Sequence, residues 1–220
     1  YIFTNKGFLY IAGLCVLFYS AIFPFQKYAT SMLQNKLSIP VDEAAGLVSW
    51  FPIGAMILTP FIGYFLDVKG KGASMMLWGA LLLIISHLIF ALVPAETFSF
   101  TIAILAIVVL GIAFSLVPAS MWPSVPKIVD ERYLGSAYAC IFWIQNIGLW
   151  AFPILIGWVL NISNPGVADA IAAGDTSLKY NYTNPMLVFS CLGIAAVLLS
   201  LLLKAEDRKK KYGLEIPNKK

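Results

Sequence analysis

Charge is scarce in this sequence. Of 220 residues only 12% are Asp, Glu, Lys or Arg, whereas 60% are hydrophobic. Soluble domains average about 25% charged and about 45–50% apolar. A water-soluble chain of this size needs polar side chains to cover its surface, so the composition excludes an ordinary soluble domain and makes lipid the main solvent. Cysteine is rare as well. Cys15, Cys140 and Cys191 fall in three different apolar runs, with no CxxC and no Cys/His cluster, so they read as small buried packing residues. Histidine occurs once, as His87. An intramembrane serine enzyme needs a nucleophile beside a His or Lys base. No GxSxG or GxSG segment occurs, and no paired intramembrane acids or metal ligands are seen. No enzyme, cofactor or metal is therefore expected.

What the chain does have is long apolar runs. A helix crossing the hydrocarbon core needs roughly 20 apolar residues. The runs are Phe8 to Phe25, Ala44 to Leu66, Ser74 to Val93, Phe98 to Val125, Leu134 to Leu160 and Met186 to Leu203, and none contains Asp, Glu, Lys or Arg. The first run follows Lys6 like a signal sequence, but it is long and lacks a small-x-small site, so it reads as a helix that stays. With the first helix continuing to about Gln34, the predicted helices are about 8–34, 44–66, 74–93, 98–125, 134–160 and 186–203. The expectation is an all-α integral membrane bundle over residues 1–203, with a basic cytoplasmic tail over 204–220. Short links make successive helices antiparallel neighbours. The stretch Asn161 to Asn184 is longer and reads as an exposed loop. It holds two sequons, Asn161-Ile162-Ser163 and Asn181-Tyr182-Thr183.

Charge sets the expected topology. Of the 15 Lys and Arg, all but Lys27, Lys36 and Lys179 fall on the side that holds the N-terminus. That bias predicts two cytoplasmic termini. Lys204 to Lys211 reads as a snorkelling, lipid-facing anchor rather than a nucleic-acid or lipid-signalling patch, and no nucleic-acid partner is expected. Pro24, Pro52, Pro60, Pro118, Pro123 and Pro153 lie inside the spans. A membrane bundle tolerates them because neighbouring helices resatisfy the freed backbone.

The most specific local pattern is Gly63-Tyr64-Phe65-Leu66-Asp67-Val68-Lys69-Gly70-Lys71, between the second and third helices. Gly63 would allow close helix approach, Asp67 would pair with a cation or cap a helix N-terminus, Gly70 would permit a tight turn, and Lys71 adds to the cytoplasmic positive charge. The segment resembles the major facilitator loop G-x-x-x-D-x-x-G-[RK]. Further stretches are Phe18-Tyr19-Ser20-Ala21-Ile22-Phe23-Pro24-Phe25, Met121-Trp122-Pro123-Ser124-Val125-Pro126, Leu134-Gly135-Ser136-Ala137-Tyr138 and Ile144-Gln145-Asn146-Ile147-Gly148-Leu149. In this order they resemble the C-terminal half of the major facilitator superfamily domain-containing 1 family, which includes a lysosomal dipeptide uniporter. The likeness runs from about Tyr10 to Gly157 and leaves out the long loop and the tail. It implies a six-helix half of a transporter, a cytoplasmic gating latch at Gly63, Asp67, Gly70 and Lys71, and a partner half. That half is a missing N-terminal one or a second copy.

Five residues are candidates for substrate contact. Gln145 and Asn146 offer amides that donate and accept, suited to a peptide bond or carboxylate; the alternative is hydrogen bonding that only holds helices together. Tyr19 either lines a cavity or packs with a satisfied hydroxyl. Trp122 is a cavity wall, a gate or an aromatic-belt anchor. Lys27 attracts a carboxylate or snorkels to the interface, and Tyr138 is a weaker candidate of the same kind as Trp122. His87 reads as structural rather than proton-coupling. The absence of an intramembrane acid favours uncoupled transport. The function expected is small-solute transport by alternating access, of dipeptides or similar zwitterions and organic anions. The competing reading is a non-transporting scaffold or receptor-like subunit. The membrane is lysosomal if the source is eukaryotic, or the inner (plasma) membrane if bacterial.

Overall fold

A computed structural model describes residues 2–175 and 177–218. Among these, six helices are long and apolar enough to span a membrane. They are α1 (Lys6–Leu37), α2 (Val41–Lys69), α3 (Gly72–Leu92), α4 (Phe100–Ile128), α5 (Leu134–Ser163) and α7 (Thr183–Lys210), with a short α6 (Val167–Ala172) between the last two. The chain is an all-α, multi-pass membrane protein. In lipid the backbone must satisfy itself, which leaves a helical bundle as the solution for such runs.

The helices pack in a ring that α1 closes against α2. α3 packs on α4 and α7, α2 on α4, and α7 on α1, which also holds α5. α1 is the most enclosed span, with Phe8, Leu14, Cys15, Phe18, Ile22 and Leu33 essentially inaccessible. α2 and α5 are the least enclosed spans. They keep large apolar side chains exposed, including Met56, Phe61, Trp143, Trp150 and Trp158.

Small residues set the tightest crossings. A Cβ at Gly79 of α3 would lie 2.5 Å from Val117 Cγ2 and 3.1 Å from the Ala113 carbonyl on α4. Gly79→Val should therefore overpack this crossing and destabilise the bundle by roughly 1–3 kcal/mol, read as a lower unfolding temperature in detergent. At Gly63, where close approach was expected, a Cβ would meet nothing within 4 Å. Within this chain no helix approaches Gly63, which sits on the open side of α2.

Five serine hydroxyls inside the spans are absorbed by backbone. Ser115, Ser120, Ser124, Ser190 and Ser200 each donate to the carbonyl four residues earlier, at 2.7–3.1 Å, the usual way a hydroxyl is satisfied within a helix. His87 is fully buried, with Nδ1 2.9 Å from the Leu83 carbonyl and its ring between Phe25 and Phe189 at 5.1 and 5.3 Å.

Two sequence expectations change at the ends of the bundle. The stretch from Asn161 to Asn184 is not a simple exposed loop. α5 absorbs Asn161 to Ser163, so the first sequon is helical, and α6 interrupts the rest. Asn164 is buried and clips the loop to itself, donating to the Leu160 and Asn181 carbonyls and accepting from the Asn181 N–H at 2.7 Å. The boundary drawn at Leu203 also moves. α7 continues to Lys210, and residues 211–218 turn back against the bundle. Hydropathy stops where the hydrocarbon stops, but Lys, Ala, Glu and Arg are good helix formers that carry the helix on into water. Lys219 and Lys220 lie outside the described residues.

In the short link from α4 to α5, Arg132 Nε and Nη2 each bond Asp130 at 3.0 Å. Chiefly through that fork, Arg132 lowers the Asp130 carboxyl from its ordinary 3.8 to about 2. Because the folded value is the lower one, any stabilisation from the pair is present above 3.8 and fades as pH falls toward 2.

Candidate functional site: an aromatic and amide face on α1, α4 and α5

Proline chemistry builds the first part of the site. Pro126 lacks an N–H, so the Trp122 carbonyl one turn earlier loses its helical donor. The Tyr138 hydroxyl of α5 supplies one at 3.2 Å. This ties the proline-rich end of α4 to α5 and fixes the backbone that carries the Trp122 ring. That ring stacks on Phe142 at 4.9 Å and lies 6.4 Å edge-on to Tyr19. Its Nε1–H donates to the Tyr19 hydroxyl at 3.1 Å. Tyr19 in turn stacks on Phe23 and meets Phe18 and Phe114 edge to face. Such offset and edge contacts are the favoured aromatic geometries.

One turn along α5 from Phe142, Gln145 is buried and its Oε1 accepts from Cys15 Sγ at 3.3 Å. Cys15 lies one turn before Tyr19 on α1. The Gln145 amide is thus held on the α1 side, next to the aromatic cluster. Asn146 is separated from it. Successive helical residues point about 100° apart, and Asn146 is exposed, donating to the Phe142 carbonyl at 2.8 Å. Lys27 is not gathered either. It is exposed two turns beyond Tyr19, with no hydrogen bond or ion pair among the described residues.

The loop between α2 and α3 forms a second constellation, on the face that holds both termini. Gly70 adopts φ 73, ψ −132, and a Cβ there would lie 2.6 Å from the Glu215 carbonyl oxygen. Only glycine fits that backbone and that approach. The Lys71 and Gly72 N–H groups donate to the Glu215 and Leu214 carbonyls at 3.2 and 2.8 Å. The N-cap position of α3 has no capping side chain of its own. Glu215 supplies the cap from the far end of the chain, accepting from Ser74 N at 2.7 Å and from Ser74 Oγ, and lying 3.9 Å from Lys71 Nζ. A carboxylate at a helix N-terminus is electrostatically favoured. Lys127 Nζ donates to the Gly213 and Ile216 carbonyls, Leu214 is buried with its N–H on Asp207, and Asn218 donates to Asp67 at 3.0 Å. Residues 211–218 thus strap the loop. Asp67, Gly70 and Lys71 all take part, whereas Gly63 stands two turns away.

Sequence reading missed Phe142, Cys15 and Glu215. Phe142 could be found from its position four residues after Tyr138 and three before Gln145, which places all three on one helix face. Cys15 is likewise one turn from Tyr19. Glu215 carries no local signal, since its partner Ser74 is 141 residues away.

A bundle of six spans with a proline-rich, aromatic-lined face and a strapped interhelical loop defines a polytopic membrane protein. The profile of the Major Facilitator Superfamily matches residues 8–218, and the chain belongs to that family. The lysosomal dipeptide transporter MFSD1 of Mus musculus is 31% identical over 148 residues, which are 67% of this chain and 31% of that protein. Its counterpart in Danio rerio is 29% identical over 149 residues, 68% of this chain and 31% of that protein. The matched stretch therefore spans about a third of these relatives. The crystal structure of a mutant of the peptide transporter POT in complex with alafosfalin superimposes with a TM-score of 0.63 at 16% identity. The superposition covers 99% of this chain and 40% of that one, and it shows the shared fold.

Proposed function

We propose that the chain is the C-terminal half of a major facilitator carrier that moves dipeptides or similar small zwitterions and organic anions by alternating access. The observation that carries this reading is the joined Tyr19, Trp122 and Phe142 cluster, with Gln145 held by Cys15 one helical turn from it. It offers aromatic faces for apolar side chains and amide groups for peptide or carboxylate groups, in a chain whose curated relatives are named dipeptide transporters. Asn146, exposed beside it, adds a second amide toward the substrate path. Lys27 would act as a peripheral attractor for a carboxylate.

A carrier of this architecture places its site between two repeats. The other wall is an N-terminal half of the same protein, or a second copy. Both termini face the cytoplasm, as the excess of Lys and Arg on their side supports. The membrane is lysosomal in a eukaryote and the inner membrane in a bacterium. The strapped loop at Asp67, Gly70 and Lys71 acts as the cytoplasmic latch that opens and closes with alternation, and Gly63 leaves the adjoining stretch of α2 free to meet the other half.

The test is uptake of a labelled dipeptide into proteoliposomes holding the full-length protein, with and without a pH gradient. Saturable uptake, blocked by unlabelled dipeptide and reduced at least tenfold by Gln145→Ala in folded protein, is expected. Uptake indifferent to the gradient is expected as well, because no acid lies in the six apolar runs. Correctly folded protein without uptake would sink the dipeptide assignment.

A further inference from the structure

We propose that the face holding the termini carries a site for the phosphate-bearing headgroup of an anionic membrane lipid, in the cavity between the start of α1 and the end of α7. The cavity measures about 440 Å3, and Asn5, Lys6, Glu206, Lys209, Lys210 and Tyr212 line it. Three ammonium groups thus face one carboxylate.

The cavity's lysines differ from others of this face. Lys71, Lys127 and Lys204 are engaged in the fold, on Glu215, on the Gly213 and Ile216 carbonyls, and on Ser74. Lys6, Lys209 and Lys210 are exposed and have no carboxylate within 4.0 Å among the described residues. Glu206 stands in the same cavity without pairing any of them.

The floor between them is rigid. Asn5 caps the Phe8 N–H, donates Nδ2 to the Ile128 carbonyl at 3.0 Å and accepts from the Tyr212 hydroxyl at 3.1 Å. The Tyr212 ring fills the space beside Gly7, where a Cβ would lie 2.9 Å from it. The lysines therefore surround a built surface. The first turn of α1 adds backbone N–H groups with no helical acceptor and the positive end of a 32-residue helix.

Depth selects a lipid. Leu203 is the last fully buried apolar residue of α7, and Lys209 lies about 9 Å farther along the axis. Headgroups occupy roughly 5–7 Å beyond the hydrocarbon on each side, and a lysine side chain reaches back toward that level. Below Lys6 and Lys209 lies exposed apolar surface on the same helical face. Leu9, three residues after Lys6, is 42% exposed, and Leu202, seven before Lys209, is 47% exposed. A headgroup held by the lysines would lay its acyl chains along these two leucines. Basic juxtamembrane clusters attract anionic lipid by about 1 kcal/mol per charge, or about fivefold.

The test is native mass spectrometry of the full-length protein, titrated with phosphatidylglycerol or with phosphatidylcholine of identical chains. Wild type should retain phosphatidylglycerol preferentially. Each lysine lost in the series Lys6→Gln, Lys209→Gln and Lys210→Gln should weaken retention about fivefold, and Glu206→Gln should strengthen it by a similar factor. Equal retention of the two lipids, or unchanged retention in a folded triple variant, would overturn the proposal. So would displacement of the lipid by millimolar inorganic phosphate, which would mark a free-anion site. Should the triple variant fail to fold, Glu206→Gln decides: no gain in retention overturns the proposal.

Discussion

Gly70→Ala should release residues 211–218 from the bundle. The new methyl group would lie 2.6 Å from the Glu215 carbonyl oxygen and the Ile216 carbonyl carbon. Both are backbone atoms, so no flexible side chain can yield. Gly70 also adopts φ 73, ψ −132, a conformation that costs other residues about 1–3 kcal/mol. Strain and clash together should open the strap by roughly 2–3 kcal/mol, or about 30- to 150-fold in the opening equilibrium. The readout is hydrogen exchange at the Gly72 and Leu214 amides, which donate to the Leu214 carbonyl and to Asp207. Both should lose protection together, and dipeptide uptake by the full-length protein should fall. Glu215→Gln keeps the shape but weakens the cap on Ser74 and the pairing with Lys71, so its effect should be several-fold smaller. Unchanged protection at both amides in Gly70→Ala would show that the strap does not depend on this approach.

Trp122→Ala should cost most at the aromatic face. The ring is the shared neighbour of Tyr19, Tyr138 and Phe142, and its loss leaves the Tyr19 hydroxyl without a donor. Because Trp122 is only half-buried, the stability loss should be about 2–3 kcal/mol, less than the roughly 3–5 kcal/mol of a fully buried aromatic. Uptake per folded molecule should drop at least 30-fold. Trp122→Phe retains the stack and loses only the hydrogen bond, worth about 1 kcal/mol, so it should lose uptake only several-fold. Initial rates and unfolding temperatures of the two variants separate packing from hydrogen bonding. Wild-type uptake in a folded Trp122→Ala protein would exclude the ring from the transport path.

Much of this architecture is legible in the sequence because membrane spans obey a single strong rule. An apolar run long enough to cross lipid must be a helix, so the six spans follow from the spacing of Lys, Asp and Pro between them. The helix ends were less legible. Ala205 to Lys210 continue α7 without hydropathy to announce it, and Asn164 and Tyr182 are buried in a stretch whose composition reads as solvent-exposed loop. At the site, Tyr19, Trp122 and Gln145 stood out as polar or amphipathic groups at membrane depth. Their neighbour Asn146 looked equivalent to Gln145 on composition, but the helical rotation of one residue sends it to the exposed side of α5. The strap was invisible for a different reason. Glu215 and Ser74 meet only because α7 brings the chain terminus back to the end of α2, and no local pattern encodes a contact over 141 residues.

The most direct test of the central claim, that the face shared by α1, α4 and α5 lines the path of a small zwitterionic solute, is substrate protection at position 146. In the full-length protein, Cys15, Cys140 and Cys191 would be replaced by serine, Asn146 by cysteine, and the rate of thiol alkylation in proteoliposomes measured with and without saturating dipeptide. Slower alkylation with dipeptide, and loss of uptake once position 146 is modified, is the predicted result. Alkylation at the same rate with and without dipeptide, together with undiminished uptake by the modified protein, would contradict it.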